Sequence, residues 1–341
     1  MRTMFLALTA SLIACGSNNN TTSDAPIADA AHDATGSGSG SGSGSSNGSS
    51  FMITGFANGL YWDGSASALY FTEKVGSAGG NAFCKWTDAK GIEVIASLDG
   101  ITGVDPGQIV KLSDGSFITP QFSTATAGAN NGVIQISGSD VTLYLEAAGS
   151  NNAQVGNWRS VGLVLGSDGQ TIYQTAFVKG TTFIGDILET TLGSGSGSDT
   201  AAQGVFFDNS TTPTPTGKVI GLVANADGTF ILGDQTNNTF LKISADGLTS
   251  TTFVASYTKP DMLLQLPNGD MLDGGGAGGS GRAQAINHIA LADGTVTALT
   301  FTGFTFTYVA GMAYDPVGHR LFVDDQTGGS NDTFDIVPYN P

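Results

Sequence analysis

One hairpin pattern recurs six times along the chain, and it limits the possible folds more than any other feature. Its clearest copy runs from Gly221 to Asp234 as an apolar strand, a tight Asp-Gly turn and a second apolar strand. The other copies cover residues 59–73, 108–121, 162–175, 262–275 and 311–325. A unit of about fifty residues has the length of a four-stranded propeller blade, so the repeat predicts an array of small antiparallel sheets.

The ends of the repeat region predict how this array closes. No stretch of useful length has helical periodicity, so the domain is expected to be all-β. The sixth unit stops at Pro341 one strand short, and residues 51–56 can supply the missing outer strand. Pairing of the two ends would remove two exposed sheet edges. We therefore predict that residues 51–341 form a six-bladed β-propeller of four-stranded antiparallel blades, in preference to five or seven blades.

Glycine has two predicted roles in the repeat. The first strand of each blade is expected to line a central channel, where its glycine lets neighbouring backbones approach closely. The turn between the first two strands needs positive φ, which an Asp-Gly or Asn-Gly pair accommodates. The aspartates of these pairs are therefore interpreted as structural residues. The pairs are Asp114-Gly115, Asp168-Gly169, Asp227-Gly228 and Asn268-Gly269.

The first fourteen residues have the pattern of a secretory signal peptide. Arg2 precedes an apolar segment, Met4 to Ala14, which is shorter than the roughly 20 residues of a permanent membrane span. The segment ends in Leu12-Ile13-Ala14-Cys15, which resembles the lipobox of bacterial lipoproteins. This resemblance implies cleavage before Cys15 and acylation of that residue, and two or more acyl chains anchor a protein stably. An ordinary cleaved signal and a chance apolar start are the alternatives.

The lipoprotein resemblance also implies a location. Gly16 stands where Asp favours inner-membrane retention in enterobacterial lipoproteins, so outer-membrane attachment is expected. Residues 15–50 are rich in Gly, Ser and Asn. That composition predicts a disordered tether with a reach of about 30–35 Å. The domain would therefore stand clear of the lipid headgroups, on a membrane face that the sequence does not fix.

The charge of the chain argues against one class of partner. There are 12 basic and 29 acidic residues, which give a net charge of −17. Such a surface repels phosphate backbones, so nucleic-acid binding is not expected. The expected partners are the membrane, through the anchor, and an envelope protein or small ligand that the sequence does not identify. The domain is expected to be a monomer.

The second cysteine, Cys84, alternates with bulky residues in Ala82-Phe-Cys-Lys-Trp86, as a strand residue would. If Cys15 carries lipid, Cys84 has no partner within the chain and could be a reactive thiol. A buried, inert thiol is the favoured interpretation, because free cysteine is among the most buried residue types.

Two segments resemble a known family of propellers. Asn58-Gly-Leu-Tyr-Trp-Asp63, followed by residues 68–73, is similar to the opening of the SMP-30/gluconolactonase-like six-bladed propellers. Residues 259–263, followed by Leu266-Pro-Asn-Gly269, resemble a blade start in the same family. NHL-type propellers share the same rhythm of repeats.

This resemblance implies a divalent ion, usually calcium, in the central channel of an enzyme that hydrolyses lactones. The family holds the ion with Glu, Asn and Asp residues near the starts of inner strands, and such oxygen ligands suit calcium. The corresponding positions here are Asn58, Val161, Ile220 and Asp261. Only Asp261 matches, and two of the others are apolar. We therefore expect the metal site to be largely lost and predict no cofactor, with calcium left open.

The remaining polar candidates are few. His32, His288 and His319 lack the spacing of a zinc site, and His288 and His319 are predicted to be a strand residue and a turn residue. Trp158, just ahead of an inner strand, could lie at the channel rim and contact a ligand.

An acidic group near the end of the chain has two interpretations. It could hold calcium in a loop, but a solvated acidic turn is favoured. Its members are Asp324, Asp325, Asn331, Asp332 and Asp335.

These observations predict a lipid-anchored propeller of the cell envelope that acts as a binding or interaction module. No catalytic set is identified, so an enzyme is not favoured. The alternative is a divalent-metal-dependent hydrolase of lactones or esters that keeps Asp261 and recruits other ligands. The candidate channel residues are Asn58, Trp158 and Asp261, and Cys15 is the predicted lipidation site.

Overall fold

The computed structural model describes residues 48–74, 81–99, 107–120, 133–144, 158–178, 184–191, 202–208, 217–275, 285–326 and 331–341. All regular secondary-structure elements in these ranges are β-strands, which confirms the all-β prediction. None of these residues belongs to a helix that is long and apolar enough to cross a membrane. The predicted signal peptide and the tether up to residue 47, with Cys15, lie outside the described residues.

Six antiparallel sheets form the six predicted blades. Blade 1 contains β2 (Phe56–Asp63), β3 (Ala68–Lys74), β4 (Asn81–Thr87) and β5 (Gly91–Ser97). Blade 2 contains β6 (Val110–Lys111), β7 (Phe117–Pro120), β8 (Val133–Ser137) and β9 (Asp140–Tyr144). Blade 3 contains β10 (Trp158–Arg159), β11 (Leu163–Leu165), β12 (Thr171–Val178), β13 (Ile184–Thr191) and β14 (Ala202–Phe207). Its inner strand is in two pieces, because β10 and β11 both pair with β12.

The second half of the ring follows the same plan. Blade 4 contains β15 (Val219–Ala224), β16 (Phe230–Asp234), β17 (Thr239–Ile243) and β18 (Ser250–Val254). Blade 5 contains β19 (Leu263–Gln265), β20 (Met271–Asp273), β21 (Ile286–Ile289) and β22 (Val296–Leu299). Blade 6 contains β23 (Val309–Asp315), β24 (Arg320–Asp325), β25 (Asn331–Pro338) and β1 (Ser49–Thr54).

The amino-terminal strand closes the ring, as predicted. β1 pairs antiparallel with β25 and completes blade 6 in the order β1-β25-β24-β23. The paired segment is Ser49–Thr54 rather than 51–56, because the chain turns at Gly55, with φ 99°, before β2 begins. Phe51 in β1 stacks on Phe334 of blade 6 and on Trp86 of blade 1, at centroid distances of 5.0 and 5.1 Å. The closing strand therefore packs on both ends of the ring.

Glycines in the inner strands let neighbouring blades approach, as predicted. A Cβ atom on Gly221 would lie 2.4 Å from the carbonyl oxygen of Asp261 in the next blade. At Gly59, Gly107 and Gly162 the same atom would lie 2.0, 1.8 and 2.3 Å from a backbone oxygen of the next blade. These distances are far below van der Waals contact, so backbone packing requires glycine at all four positions.

The hairpin turns also form as predicted. The four turn glycines have φ between 69° and 92°, namely Gly115, Gly169, Gly228 and Gly269. Asp227 Oδ1 accepts hydrogen bonds from the backbone nitrogen and the hydroxyl of Thr229, at 3.0 and 2.6 Å. Asp114 and Asp168 make the same contacts with residues that follow them. These aspartates stabilise turns, in agreement with the structural interpretation.

A second set of repeated aspartates ends the second strand of blades 4, 5 and 6. Asp234 accepts a hydrogen bond from the backbone nitrogen of Gly217 at 3.1 Å, in the segment that leads into β15. Asp273 and Asp325 do the same for Asp261 and Thr307, at 2.9 and 2.7 Å. Each carboxylate satisfies a backbone donor that enters the first strand of its own blade.

Apolar clusters fill the seams between blades. Between blades 6 and 1 the rings of Phe71, Phe322 and Phe334 are fully buried. Cys84 belongs to this cluster and is fully buried, as expected. The expectation of a free thiol is wrong, because Cys84 is disulfide-bonded.

Candidate binding site in the central channel

Six equivalent positions form a ring of residues that line the channel. Each follows the glycine near the start of an inner strand, or Met262 in blade 5. Gln108 occupies the position in blade 2. The other five positions carry large apolar residues, namely Leu60, Leu163, Leu222, Leu263 and Met312. We call these six residues the channel ring. We call the end of the channel where the inner strands begin the upper end, and the end at their hairpin turns the lower end.

Gln108 spans the channel. Its Nε2 donates a hydrogen bond to the backbone oxygen of Leu263 at 2.6 Å, and its Oε1 accepts one from the backbone nitrogen of Leu163 at 2.9 Å. Leu263 belongs to blade 5, which lies opposite blade 2 in a ring of six. The side chain therefore crosses the channel from blade 2 to blade 5. These two hydrogen bonds hold the amide to the backbone of blades 3 and 5.

Asp261 lies at the upper end, ahead of β19. The residue is only partly exposed, and burial of its carboxylate raises its pKa to about 6. Two neighbours act in the opposite direction. Lys218 does so through its positive charge, and Tyr308 through its hydroxyl, which donates to Oδ2 at 3.4 Å. Lys218 and Tyr308 precede the inner strands of blades 4 and 6. We call these three residues the rim cluster.

A buried network fixes the backbone that carries Asp261. Asp273, fully buried, accepts hydrogen bonds from the backbone nitrogen of Asp261 at 2.9 Å and from the hydroxyl of Tyr257 at 2.6 Å. Asn287 donates from Nδ2 to the hydroxyl oxygen of Tyr257 at 2.8 Å. Burial raises the pKa of Asp273 to about 7, although these hydrogen bonds favour its charged form. The rim cluster thus rests on a rigid support.

The other predicted site residues fall at different places. Ile220 is the second residue of β15 and is buried in an apolar cluster, against which Val161 also packs. Asn58 lies in β2 at an irregularity of its pairing with β3, and Trp158 lies in β10, paired with Val178. The side chains of Asn58 and Trp158 lie outside the described part of the structure, so the predictions for them stay predictions.

Several solved structures share this architecture. A protein provisionally assigned as a gluconolactonase superposes with a TM-score of 0.59 at 12% identity, over 86% of this chain and 92% of its own. A gluconolactonase from Xanthomonas campestris gives 0.56 at 13% identity, over 84% and 89%. The calcium-binding protein regucalcin from Agrobacterium tumefaciens gives 0.57 at 13% identity, over 84% and 92%. The fold is that of the gluconolactonase-like six-bladed propellers.

Comparisons of the amino-acid sequence identify no relative closer than these structures. No family model matches the chain, and no curated protein sequence matches it. At 11–13% identity the similarity to gluconolactonase-like propellers shows the fold alone, so any shared activity has to be judged from the residues at the channel.

The residues of the upper channel do not fit the calcium ion that the gluconolactonase-like fold implies. Calcium takes six to eight oxygen ligands, and Asp261 is the one carboxylate among the described residues that immediately precede the inner strands. Ile220 packs its side chain into an apolar cluster, and Lys218 brings a positive charge to Asp261, which opposes a cation. Within the described ranges no group of three or more His, Cys, Asp and Glu residues has the arrangement of a metal site.

The histidines of the described region lie apart from the channel ring. His288 lies in β21, as predicted, with Nε2 3.0 Å from Asp270 Oδ2. His319 lies in a turn with φ 50°, also as predicted. His32 falls outside the described residues.

The acidic group near the carboxyl terminus is not a solvated turn, which corrects the favoured interpretation. Asp324 and Asp332 are fully buried, and Asp325 is nearly so. Asp332 accepts a hydrogen bond from the backbone nitrogen of Ala57 at 2.9 Å, across the seam between blades 6 and 1. Burial, followed by the charge of Asp332, raises the pKa of Asp324 well above its ordinary value. The group is a buried acidic pair at the ring closure, with Asp335 more exposed.

Below the channel ring is a cavity of about 550 Å³. Inner strands of all six blades line it, and its lining runs down to the exposed turn residues Gly64, Pro267 and Pro316. It therefore opens at the lower end, away from the rim cluster. Its walls include the half-buried side chains of Val164 and Leu264, and none of the described residues that line it carries a charge.

Sequence reasoning missed Gln108, Lys218 and Tyr308, although one of them left a signal. Gln108 is the one polar residue among the six channel-ring positions, and an alignment on the inner-strand glycines shows this exception. Lys218 and Tyr308 left no such signal. Their distance from Asp261 depends on how blades 4, 5 and 6 pack side by side, which no local pattern contains.

Proposed function

We propose that the protein is a lipid-anchored propeller of the cell envelope that acts by binding, and that it does not hydrolyse lactones through a channel metal. The observation that carries this proposal is the composition of the upper channel. The positions that would hold a metal contain Ile220 and Val161, and Lys218 adds a positive charge beside Asp261. The Gln108 side chain crosses the channel beneath them.

The calcium response tests the binding proposal against metal-dependent hydrolysis. We expect that millimolar calcium leaves the melting temperature unchanged and that lactones are not turned over above background. A calcium site with Kd one hundredfold below the added concentration would instead stabilise the fold by about 2.7 kcal/mol, which raises the melting temperature by several degrees. Thermal melts with and without calcium measure this difference.

Two variants locate any calcium response that does appear. A shift that is lost in Asp261→Asn and kept in Asp324→Asn would place an ion at the rim cluster and contradict the proposal. A shift that is kept in Asp261→Asn and lost in Asp324→Asn would place the ion at the buried acidic pair. The proposal for the channel would then stand.

The proposed lipid anchor at Cys15 is tested by membrane fractionation. Cys15→Ala should move the protein from the membrane fraction to the soluble fraction, because removal of the acylated residue removes the attachment that two or more acyl chains provide. Fractionation followed by immunoblotting measures the change. A Ser17→Ala variant is the matched control and should stay with the membrane. Retention of Cys15→Ala in the membrane fraction would refute the anchor.

The two cysteines give an independent check, because the chain has no cysteine besides Cys15 to form the disulfide at Cys84, and a thioether at Cys15 excludes that disulfide. If Cys15 is acylated, the denatured mature protein should react with one equivalent of iodoacetamide, at Cys84, without prior reduction. If the two cysteines are joined, it should react with none before reduction and with two afterwards. Intact-mass spectrometry distinguishes these outcomes.

The second candidate function is hydrolysis of a lactone or ester, and the rim cluster favours it. A carboxylate with a pKa of about 6, such as Asp261, can act as a general base near neutral pH, and the Tyr308 hydroxyl lies beside it. Turnover of lactones or esters that disappears in Asp261→Asn, without any added metal, would establish this alternative.

A further inference from the structure

We propose that the lower channel cavity binds an uncharged, largely apolar small molecule with its apolar part toward Gln108. This inference deepens the proposed binding function by naming the site and the ligand class. The cavity lies on the opposite side of Gln108 from the rim cluster, so it is separate from the position where gluconolactonase-like propellers are expected to bind a metal.

The chemistry of the walls sets the ligand class. Val110, Val164, Leu165, Ala224 and Leu264 line the cavity and are only partly buried, so they present apolar surface to its interior. None of the lining residues in the described ranges is charged, although the chain as a whole carries a net charge of −17. A charged ligand group would lose its hydration here without gaining an ionic partner, which is strongly unfavourable.

The closed end sets the orientation. Gln108 forms the upper boundary, and each polar atom of its amide already has a backbone partner. The other five residues of the channel ring around it are apolar, so the apolar part of a ligand gains the most contact there. At the open end, Gln265 is exposed and lies beside the turn residue Pro267. A hydroxyl or carbonyl of the ligand is therefore best placed at the mouth, where it keeps contact with water.

The size of the cavity fits a small molecule. Ligand sites of proteins commonly have volumes of about 300–1,000 Å³, and this cavity has about 550 Å³. Its walls are the inner strands of all six blades, which are closely packed through Gly59, Gly107, Gly162 and Gly221. A folded protein cannot enter such a channel, and an apolar molecule that replaces poorly hydrated space gains most from burial.

A homologous series of n-alkanols tests the inference on the full chain in mild conditions without detergent. Isothermal titration calorimetry with butanol, hexanol and octanol should show one site per chain, with affinity rising about fourfold per added methylene, the equivalent of about 0.8 kcal/mol. The heat-capacity change of binding should be negative. Octanoate, with the same chain length and a charge, should bind at least tenfold more weakly than octanol.

Two variants place the site. Ala224→Phe fills the cavity from its wall and should weaken octanol binding at least tenfold. Ala298→Phe adds the same ring to an exposed position of the outer strand β22 and should leave binding unchanged. Leu264→Gln adds a polar group to the wall and should also weaken binding, which keeps the test decisive if Ala224→Phe does not fold.

Several outcomes would overturn the inference. The inference is wrong if the affinity for alkanols does not increase with the length of their carbon chain, or if octanoate binds as tightly as octanol. Equal binding of octanol by Ala224→Phe and Ala298→Phe would have the same consequence. Such a failure would remove this cavity and ligand class alone. The proposed binding function would fail separately, through metal-dependent lactone turnover or through retention of the Cys15→Ala variant at the membrane.

Discussion

Gly221→Ala should destabilise the propeller by more than about 4 kcal/mol, a magnitude reached by few single substitutions. The added Cβ would lie 2.4 Å from the backbone oxygen of Asp261 and 2.7 Å from the backbone nitrogen of Leu263, where ordinary contact needs at least 3.4 Å. Both atoms belong to the main chain of the next blade, so neither can move by a side-chain rotation. Relief of the clash requires blades 4 and 5 to separate at the channel, which would also disturb their apolar seam.

Urea unfolding followed by circular dichroism measures this effect. The matched control is Gly138→Ala, at a turn glycine with φ 60° and no atom within 4 Å of the added Cβ. That substitution should cost about 1–2 kcal/mol, from the left-handed backbone conformation alone. If both variants lost the same small amount of stability, the close approach of the inner strands would be wrong.

Stability should fall as pH rises from about 4.5 to 8, by at least about 2 kcal/mol. Burial raises the pKa of Asp273 to about 7 and the pKa of Asp324 well above its ordinary value. The folded state therefore holds protons that the unfolded state has already released in this range. The free energy of unfolding decreases with pH wherever the native state binds more protons. This trend is opposite to that of a fold stabilised mainly by ionised carboxylates.

Asp324→Asn isolates one source of this trend. At pH 8 the variant should be more stable than the parent by about 1–3 kcal/mol, because the amide removes a buried charge and can donate a hydrogen bond to Asp332. Neither oxygen of Asp324 makes a hydrogen bond of good geometry with the described residues, although the side chains of Asp332 and Gln326 lie near enough to affect its pKa. At pH 4.5 the difference should nearly vanish, because Asp324 is then protonated and can donate the same bond. Thermal melts at both pH values measure this.

A second fully buried aspartate provides the control with the opposite sign. Asp234 accepts hydrogen bonds from the backbone nitrogens of Gly217, Thr236 and Asn237, and from the Asn237 side chain. Asp234→Asn replaces one acceptor oxygen with a donor and should lower stability by about 1–3 kcal/mol at both pH values. If Asp324→Asn were destabilising to the same degree at pH 8, the buried acidic pair would not be repulsive.

The sequence was sufficient for the architecture because each blade is built from local signals. The Asp-Gly and Asn-Gly pairs fixed the first hairpin of blades 2 to 5, and the missing strand of the sixth unit pointed to closure by the first residues of the domain. Where a prediction failed, the neighbours came from another blade. The acidic group around Asp324 reads as a polar turn along the chain, yet blade 1 covers it and removes it from water.

The channel also has some features that the local sequence determines and others that depend on contacts between blades. The sequence by itself determined that Val161 and Ile220 cannot ligate a metal, because their side chains have no donor atom. It could not determine that Lys218 and Tyr308 meet Asp261, or that Gln108 reaches Leu263, since these contacts join residues that are 43, 47 and 155 positions apart. Such pairs are set by the angle and spacing of whole blades. The hairpin repeat determined the six-bladed ring. The packing of whole blades in the closed ring determined which side chains face one another across the channel.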